Sequence, residues 1–383
     1  MITSKINFKN FRIKKKIGLI NKKLIKILET NNNVIKSLKK DYKNSFNKNL
    51  INKFKNKLDL RIIGMGGSSL GFKAIYSFLS EKIKKKVIFY DNLETIEKIE
   101  KKNYLNLIIS KSGNTIETIV NSNILLKKSK NNIFITENKI NYLNQLAKKL
   151  KSEIVHHNNF IGGRYSVLSE VGMLPAELVG LKSEEFKQFN YLVKNKKFMN
   201  ALFNNVASIL HLVSKKKYNS IILNYDEKSQ DLFCWYQQLV AESLGKKGKG
   251  ILPIISNMPR DNHSVMQLYL DGFKNNFFTF FYTNETKFNR IDNSLILNSK
   301  KFLKNKSLQE IKLAQKKATE NIFLKKKIPF RSFEINNRDE KTLGELFTFF
   351  ILETILLGNF LGVNPYDQPS VELIKKETKK ILS

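Results

Sequence analysis

The chain has 383 residues, of which 42% are hydrophobic and 11% aromatic, with 68 Lys and Arg against 33 Asp and Glu. Its apolar content excludes a disordered chain, and its length exceeds what one ordinary core holds, so we predict two domains with terminal extensions. The net charge of +35 raises the question of a nucleic-acid partner. The lysines are, however, spread along the whole chain and are not accompanied by a nucleic-acid-binding motif. This distribution favours a solvated, lysine-rich surface.

The first half of the chain changes from a helical pattern to an alternating one. Residues 1–55 have a polar, helical pattern, and short apolar segments then alternate with helical ones. We predict strands at 58–63, 87–90, 105–109 and 133–136, and helices at 69–80, 93–101, 115–130 and 140–150. Strands that alternate with helices indicate a parallel sheet covered on both faces.

A second run of the same pattern follows a polar helical bridge at 183–215. Strands are predicted at 220–224, 251–255, 277–283 and 330–334, with helices at 230–244 and 263–270, a long helix at 340–361 and a last helix from residue 370. The predicted fold is therefore α/β, with two tandem αβα sandwich domains that contain parallel sheets. We place the boundaries at 1–55 (N-terminal helical region), 56–182 and 183–345 (the two sandwich domains) and 346–383 (C-terminal helical segment).

The sequence favours a cytoplasmic protein without a membrane partner. Its N-terminus lacks the apolar central region of a secretory signal. Glu345, Glu353 and Asn359 interrupt the most apolar stretch, 343–363, so we predict a buried core helix there rather than a membrane span. The single Cys234 excludes an intrachain disulfide and fits a reducing compartment.

Two turns rich in glycine and hydroxyl residues predict an anion site. The first, GMGGSSLG at 64–71, follows a strand and opens a helix, where glycines allow close backbone approach and free N–H groups attract anions. Alone, it would also fit a dinucleotide-binding fingerprint or an ordinary tight turn. The second turn carries Ser110, Ser112, Thr115 and Thr118 at another helix start, more hydroxyls than N-capping needs. It lacks the Gly-Lys-Ser/Thr ending of nucleotide hydrolases, so we favour a phosphomonoester as the ligand.

Four further residues are candidate catalytic groups. Arg164 follows a Gly-Gly turn, and because only seven of the 68 basic residues are Arg, its retention hints that a planar, forked donor is needed. Glu242 lies near the end of the helix at 230–244 and, if buried, would serve as a general base. His263 precedes a helix, and Lys375 lies about one turn into the last one. Taken alone, a residue of each of these kinds is more often structural or exposed at the surface than catalytic.

Six motifs in this order resemble the glucose-6-phosphate isomerase (phosphoglucose isomerase) family: GMGGSSLG, SKSGNTIET, GGRYSVLSEVGMLP, QLVAESLGKKGKG, DNHSVMQL and NPYDQPSVELIK. The match extends from about residue 62 to residue 375. The resemblance implies two sugar-isomerase (SIS) domains and a sugar phosphate as substrate, with neither a metal nor another cofactor. It also implies a homodimer in which His263 is shared across the interface with the neighbouring active site.

The resemblance further implies a role for each matching residue. Glu242 would carry a proton between C2 and C1 of the open-chain sugar, and Arg164 would stabilise the enediolate. His263 would open the sugar ring, Lys375 would assist at the ring oxygen, and Gln368 would contact the substrate. The sugar-phosphate cradle would consist of Gly67, Ser68, Ser110, Lys111, Ser112 and Thr115, completed by Thr118.

The chain departs from the family pattern at Ser370 and Ile374, where most relatives have glycine. The added side chains are expected to affect the placement of Lys375 more than activity itself.

Three alternative functions stay open. The first is a bifunctional isomerase that also accepts mannose 6-phosphate. The second is a non-catalytic phosphosugar-binding regulator, which would not need the four catalytic candidates. The third is nucleic-acid binding driven by charge, which would depend steeply on salt.

Overall fold

Two five-stranded sheets organise the chain. The computed structural model describes residues 2–13, 18–29, 32–54, 58–95, 104–126, 131–285 and 289–383. The strands are β1 (Ile6–Lys9), β2 (Asp59–Ile63), β3 (Val87–Tyr90), β4 (Tyr104–Ile109), β5 (Asn132–Glu137), β6 (Glu153–His157), β7 (Asn219–Asn224), β8 (Leu252–Asn257), β9 (Asn276–Thr283) and β10 (Phe330–Ile335).

Helices connect these strands. They are α1 (Gly18–Glu29), α2 (Asn33–Leu38), α3 (Lys48–Phe54), α4 (Leu70–Phe78), α5 (Ile116–Leu125), α6 (Tyr142–Lys149), α7 (Glu170–Leu178), α8 (Phe189–Leu192), α9 (Lys196–Ser214), α10 (Gln230–Leu244), α11 (Met266–Asp271), α12 (Leu308–Lys325), α13 (Glu340–Leu361) and α14 (Val371–Leu382). Short 3-10 helices lie between several of them, including Gly66–Ser68, Gly163–Leu168 and Arg260–His263.

The first sheet is entirely parallel, in the order β3-β2-β4-β5-β6. Every residue of β4 and β5 is buried, as expected where helices cover both faces of a parallel sheet. The second sheet has the order β1-β10-β9-β7-β8, in which only β1 is antiparallel to its neighbour. α10 packs against both α4 and α13 and so joins the two halves. The predicted α/β class with parallel sheets is confirmed.

The long apolar helix α13 is a core element. By length and composition it is the one helix in the described part of the chain that would suffice to cross a membrane, but 89% of its most apolar window is buried inside the protein. Its central Glu353 is buried against Arg331 and accepts a hydrogen bond from the Tyr236 hydroxyl at 2.9 Å. The prediction of a buried core helix is therefore confirmed.

The prediction that residues 1–55 are helical is wrong at β1. Ile6 pairs with Ile335 on the edge of the second sheet, and the ring of Phe8 lies 4.6 Å from that of Phe333. A four-residue edge strand owes its conformation to this distant partner rather than to local pattern.

Other boundaries differ from the predictions. β6 was not predicted, and the helix predicted at 263–270 begins only at Met266. Positions 96–101 of one predicted helix and 127–130 of another lie outside the described residues. The proposed domain boundaries stay a prediction.

Candidate active site

Two turns meet at the carboxyl edge of the first sheet. β2 ends at Ile63 and leads through the 3-10 helix Gly66–Ser68 into α4, while its neighbour β4 ends at Ile109 and leads into α5. The turns lie against each other, because a Cβ on Gly64 would be 2.8 Å from the carbonyl oxygen of Ile109. Ligands of open parallel sheets bind outside this edge, and helix starts offer free N–H groups to an anion.

The predicted cradle hydroxyls lie along these turns. Ser110 Oγ and Thr115 Oγ1 are 2.8 Å apart, and Thr115, although it is the N-cap residue of α5, makes no capping hydrogen bond with its side chain. Thr118 is buried, and its hydroxyl has no hydrogen-bond partner among the described residues. Ser112 is exposed, whereas Ser68 is half-buried. N-capping by Thr115 therefore does not explain this concentration of hydroxyls.

Lys111 adds a positive charge to the same turn. Its ammonium lies 3.6 Å from the Glu137 carboxylate. Burial lowers the pKa of Lys111, Glu137 opposes that shift, and the charges of Lys139 and Arg164 add to it. The positive charge of Arg164 thus contributes to the lowered pKa of Lys111.

Arg164 is the most extensively bonded group near the cradle. It is buried in the 3-10 helix Gly163–Leu168, and its Nε donates to Ser243 Oγ at 2.7 Å. Its Nη2 donates to the carbonyl oxygens of Pro365 at 2.7 Å and Asp367 at 3.0 Å. Its Nη1 donates to Gln368 Oε1 at 2.5 Å. The guanidinium thereby fixes the loop before α14 against the end of α10.

The remaining face of Arg164 meets Glu242. Arg164 Nη1 and Glu242 Oε1 are 3.1 Å apart, and the Glu242 side chain retains 20% exposure. Gln238, one turn earlier on α10, donates from Nε2 to the other carboxylate oxygen at 3.0 Å. The carboxylate is therefore oriented from both sides while it stays accessible. Within the residues that the structure describes, no three His, Cys, Asp or Glu side chains are grouped so as to hold a metal ion.

The cradle and the Arg164–Glu242 pair form one site. Gly67 lies against the backbone of Gly163 and Arg164, so closely that a Cβ on Gly67 would be 2.5 Å from the Arg164 nitrogen. The preceding Gly66 faces Gln238, whose Nε2 would be 2.9 Å from a Cβ at that position. A ligand with its anionic end on the cradle would therefore have Arg164 and Glu242 within its reach.

A family model described as phosphoglucose isomerase matches residues 4–383. The chain belongs to the phosphoglucose isomerase family. A probable glucose-6-phosphate isomerase of Methanococcus maripaludis is 31% identical over 353 residues, which cover 86% of this chain and 80% of that protein. A glucose-6-phosphate isomerase of Mycoplasmopsis pulmonis is 33% identical over 352 residues, 84% of this chain and 82% of that one. The solved glucose-6-phosphate isomerase of Chlamydia trachomatis shares the fold, with a TM-score of 0.75 over 91% of this chain and 77% of that chain at 17% identity.

Two residues predicted for the active site, His263 and Lys375, have exposed side chains and form no hydrogen bond or ion pair with Glu242 or Arg164 in the described part of the chain. His263 ends the 3-10 helix Arg260–His263 with its side chain exposed, and it makes no hydrogen bond to Glu242 or Arg164 among the described residues. Lys375 is 52% exposed on α14, a helix without buried residues, and pairs with Glu372 at 2.6 Å. The departure at Ile374 crowds nothing, because that side chain is exposed as well.

Three residues of the site were not predicted from the sequence. Gln238 and Ser243 orient Glu242 and Arg164, and the oxygen Oε1 of Gln238 is buried without a partner among the described residues. Helical spacing was the available signal for Gln238, since it lies four residues before Glu242. Glu170 had no such signal.

Glu170 belongs to a buried network at the loop that precedes Gly163 and Arg164 in the sequence. Its Oε1 is 2.7 Å from His157 Nδ1 and accepts from the Asn158 backbone N–H at 2.8 Å, and its Oε2 accepts from the Tyr42 hydroxyl at 3.0 Å. The other ring nitrogen of His157 is 3.0 Å from the Ile161 carbonyl oxygen. The network thus holds both ends of the loop that leads into Gly163 and Arg164.

Proposed function

We propose that this protein interconverts glucose 6-phosphate and fructose 6-phosphate by proton transfer through an enediol intermediate. Membership of the phosphoglucose isomerase family and relatives named glucose-6-phosphate isomerase support the reaction. The observation that carries the proposal is the Glu242 carboxylate, oriented by Arg164 and Gln238 beside a cradle of hydroxyl groups.

The cradle suits the phosphate end of the substrate. Hydroxyls of Ser68, Ser110, Ser112 and Thr115 surround helix starts, where backbone N–H groups and the helix dipole favour an anion. Lys111 adds charge, the backbone at Gly67 adds a close approach, and the unpartnered hydroxyl of Thr118 is free to support the inner side of the cradle.

Glu242 is the proposed base. It takes the proton from C2 of the open-chain sugar and returns it to C1, while the hydroxyl proton of O2 passes to O1, so that the aldose becomes a ketose with the same atoms. As the proton leaves, negative charge develops on the sugar oxygens, and the buried guanidinium of Arg164 compensates it. A preorganised, fixed charge is more effective than water at this step because it need not reorient. Gln368, already bonded to Arg164, is proposed to contact the substrate.

Ring opening is the proposed task of His263 and Lys375. The exposed His263 is consistent with a homodimer in which each subunit lends this histidine to its neighbour's site. Lys375 would have to approach together with α14, which has no buried residues. We further propose that the enzyme needs no metal and acts in the cytoplasm.

Steady-state isomerisation of fructose 6-phosphate with a chelator present tests the proposal. We expect full activity of the wild type and a fall of roughly 10²–10⁴-fold in kcat for Glu242→Gln. Glu184→Gln, which makes the same change on the exposed surface, should leave kcat unchanged. A wild type that binds fructose 6-phosphate without turning it over would contradict isomerisation and favour a phosphosugar-binding regulator. Turnover of mannose 6-phosphate at a comparable rate would establish the bifunctional alternative.

A further inference from the structure

A pocket rich in lysine lies at the amino edge of the second sheet, where β7, β9 and β10 begin. Its volume is about 360 Å³. We call it the lysine pocket and define it by four basic and two aromatic residues that line it: Lys217, Lys274, Lys326, Lys327, Tyr269 and Phe273. The site proposed for isomerisation lies at the carboxyl edge of the other sheet, so this pocket has no part in that reaction.

Distant parts of the sequence bring these lysines together. Two Lys-Lys-Lys runs, 215–217 after α9 and 325–327 at the end of α12, meet Lys274 in front of β9. Lys217 donates a hydrogen bond from its ammonium to the backbone carbonyl of Lys274. Burial lowers the pKa of Lys217, and the charge of Lys274 adds to that effect.

These positive charges are not compensated locally. Among the described residues, no carboxylate lies within 4.0 Å of the ammonium groups of Lys217, Lys274, Lys326 or Lys327. The C-termini of α9, α11 and α12 point to this edge, but each contributes only about −0.5 charge. Four lysines therefore leave an excess of more than two positive charges in a confined space.

The lining also offers an apolar surface. Phe273 is 54% exposed although it lines the pocket, and Tyr269 forms a buried part of the wall. Aromatic rings beside ammonium groups suit a ligand that has a flat or apolar part as well as phosphates. The volume limits that ligand to a small molecule.

We propose that the lysine pocket binds a small ligand with a chain of two or three linked phosphate groups. Lys217 and Lys274, which are joined by a hydrogen bond, hold one end of the chain, and Lys326 and Lys327 hold the other end. The ligand is either an inorganic polyphosphate or a nucleoside polyphosphate whose base lies on Phe273.

Calorimetric titration of the full chain with inorganic triphosphate and, separately, with ATP tests this proposal. Fructose 6-phosphate is added at saturation and salt is kept at about 0.15 M, which screens non-specific attraction over distances beyond about 8 Å. We expect one site for triphosphate, weakened roughly tenfold or more in the Lys217→Gln/Lys274→Gln variant because charge-assisted hydrogen bonds are lost. Tighter binding of ATP, lost in Phe273→Ala, would identify a nucleotide; equal binding would identify the phosphate chain alone.

Lys215→Gln/Lys216→Gln is the matched control, since it removes the same charge from neighbouring residues that do not line the pocket. Equal weakening in both variants would overturn the proposal by showing a mere effect of net charge. Triphosphate binding that disappears when fructose 6-phosphate is added would also overturn the proposal, because the triphosphate would then occupy the cradle rather than the lysine pocket. Isomerase activity of the pocket variant should equal that of the wild type, which keeps this test separate from the proposed function.

Discussion

The substitution Gly67→Ala would force apart the two backbone segments that join the cradle to Arg164. A Cβ on Gly67 would lie 2.1 Å from the carbonyl carbon of Gly163 and 2.4 Å from its oxygen. Both partners are backbone atoms, so no side chain can rotate away to make room. Ordinary carbon–carbon contacts lie near 3.5 Å, so the segments must separate by about 1.4 Å.

The expected magnitude follows from that displacement. Arg164 is held by Ser243, Gln368, Pro365 and Asp367 on its far side, so a moved backbone pulls against those bonds. A misplacement of about 1 Å near a catalytic group costs roughly 10²-fold in rate. Overpacking at a buried site costs about 1–3 kcal/mol in the free energy of unfolding.

The assay is fructose 6-phosphate isomerisation coupled to glucose-6-phosphate dehydrogenase, with urea unfolding in parallel. We expect kcat to fall roughly 100-fold while the protein remains folded. The control is Gly162→Ala: Gly162 has φ −69° and ψ 152°, and a Cβ there would meet only Tyr165 Cδ2, at 3.9 Å. If Gly67→Ala keeps kcat within twofold of the wild type, or if both variants lose activity equally, the steric reasoning is refuted.

Further predictions concern the groups that hold the site. Ser243→Ala removes the acceptor of Arg164 Nε. It should lower the free energy of unfolding in urea by about 1–3 kcal/mol and reduce kcat/KM, whereas Ser214→Ala on the surface should change neither quantity. Burial raises the pKa of Glu170, but His157 and the Asn158 backbone N–H lower it more. The Glu170 carboxylate therefore stabilises the fold above its unfolded pKa, near 4.5, and this contribution is lost as pH falls through the lower folded value. Glu170→Gln should flatten that acid loss and cost about 1–3 kcal/mol in unfolding free energy at neutral pH, because the hydrogen bonds of the carboxylate to His157 and to the Asn158 backbone N–H are weakened. It should also lower kcat, and unchanged unfolding at pH 7 would contradict this role of the network. Burial lowers the pKa of Lys187 from 10.5 to about 7. Between these two pH values the unfolded chain has this lysine protonated, whereas the folded chain does not. The free energy of unfolding should therefore rise by up to about 1.4 kcal/mol per pH unit from pH 7 to 9. Lys187→Met should abolish that rise, and a slope equal to that of the wild type would show that another group causes it.

The parallel sheets and the grouping of hydroxyl residues at the edge of the first sheet could be predicted from the sequence because their signals are local. The strands that form the middle of each sheet are short apolar runs between turns, and their burial on both faces produces that pattern directly. The predicted cradle hydroxyls lie within two short turns and the helix starts that follow them. The position of β1 could not be predicted in this way, since four residues take their strand conformation from β10 at the other end of the chain.

For each pair formed by a candidate catalytic residue and the side chain that orients it, the sequence predicts only the candidate catalytic residue. Glu242 is predicted as the base through its motif, but the sequence of that motif does not show which donors orient the carboxylate. Gln238 lies on the same helix and could have been found by spacing, whereas Glu170 and His157 owe their roles to the fold, which brings β6 and the start of α7 together in the interior.

The rarity of arginine in the sequence indicates that a forked donor is needed, but it does not indicate which arginines lie in the active site. Arg164, Arg331 and Arg338 each bind two or more acceptors in the interior or close to it, as a forked donor allows. Arg260 lies within a family motif and yet its side chain is 76% exposed, and its one ion pair among the described residues is with its neighbour Asp261. A lysine has a single ammonium and could not reach the separate acceptors that Arg164 binds. Three of the seven arginines therefore lie where acceptors from different segments are held at once. Only the fold shows that the acceptors of Arg164 come from α10 and from the loop before α14.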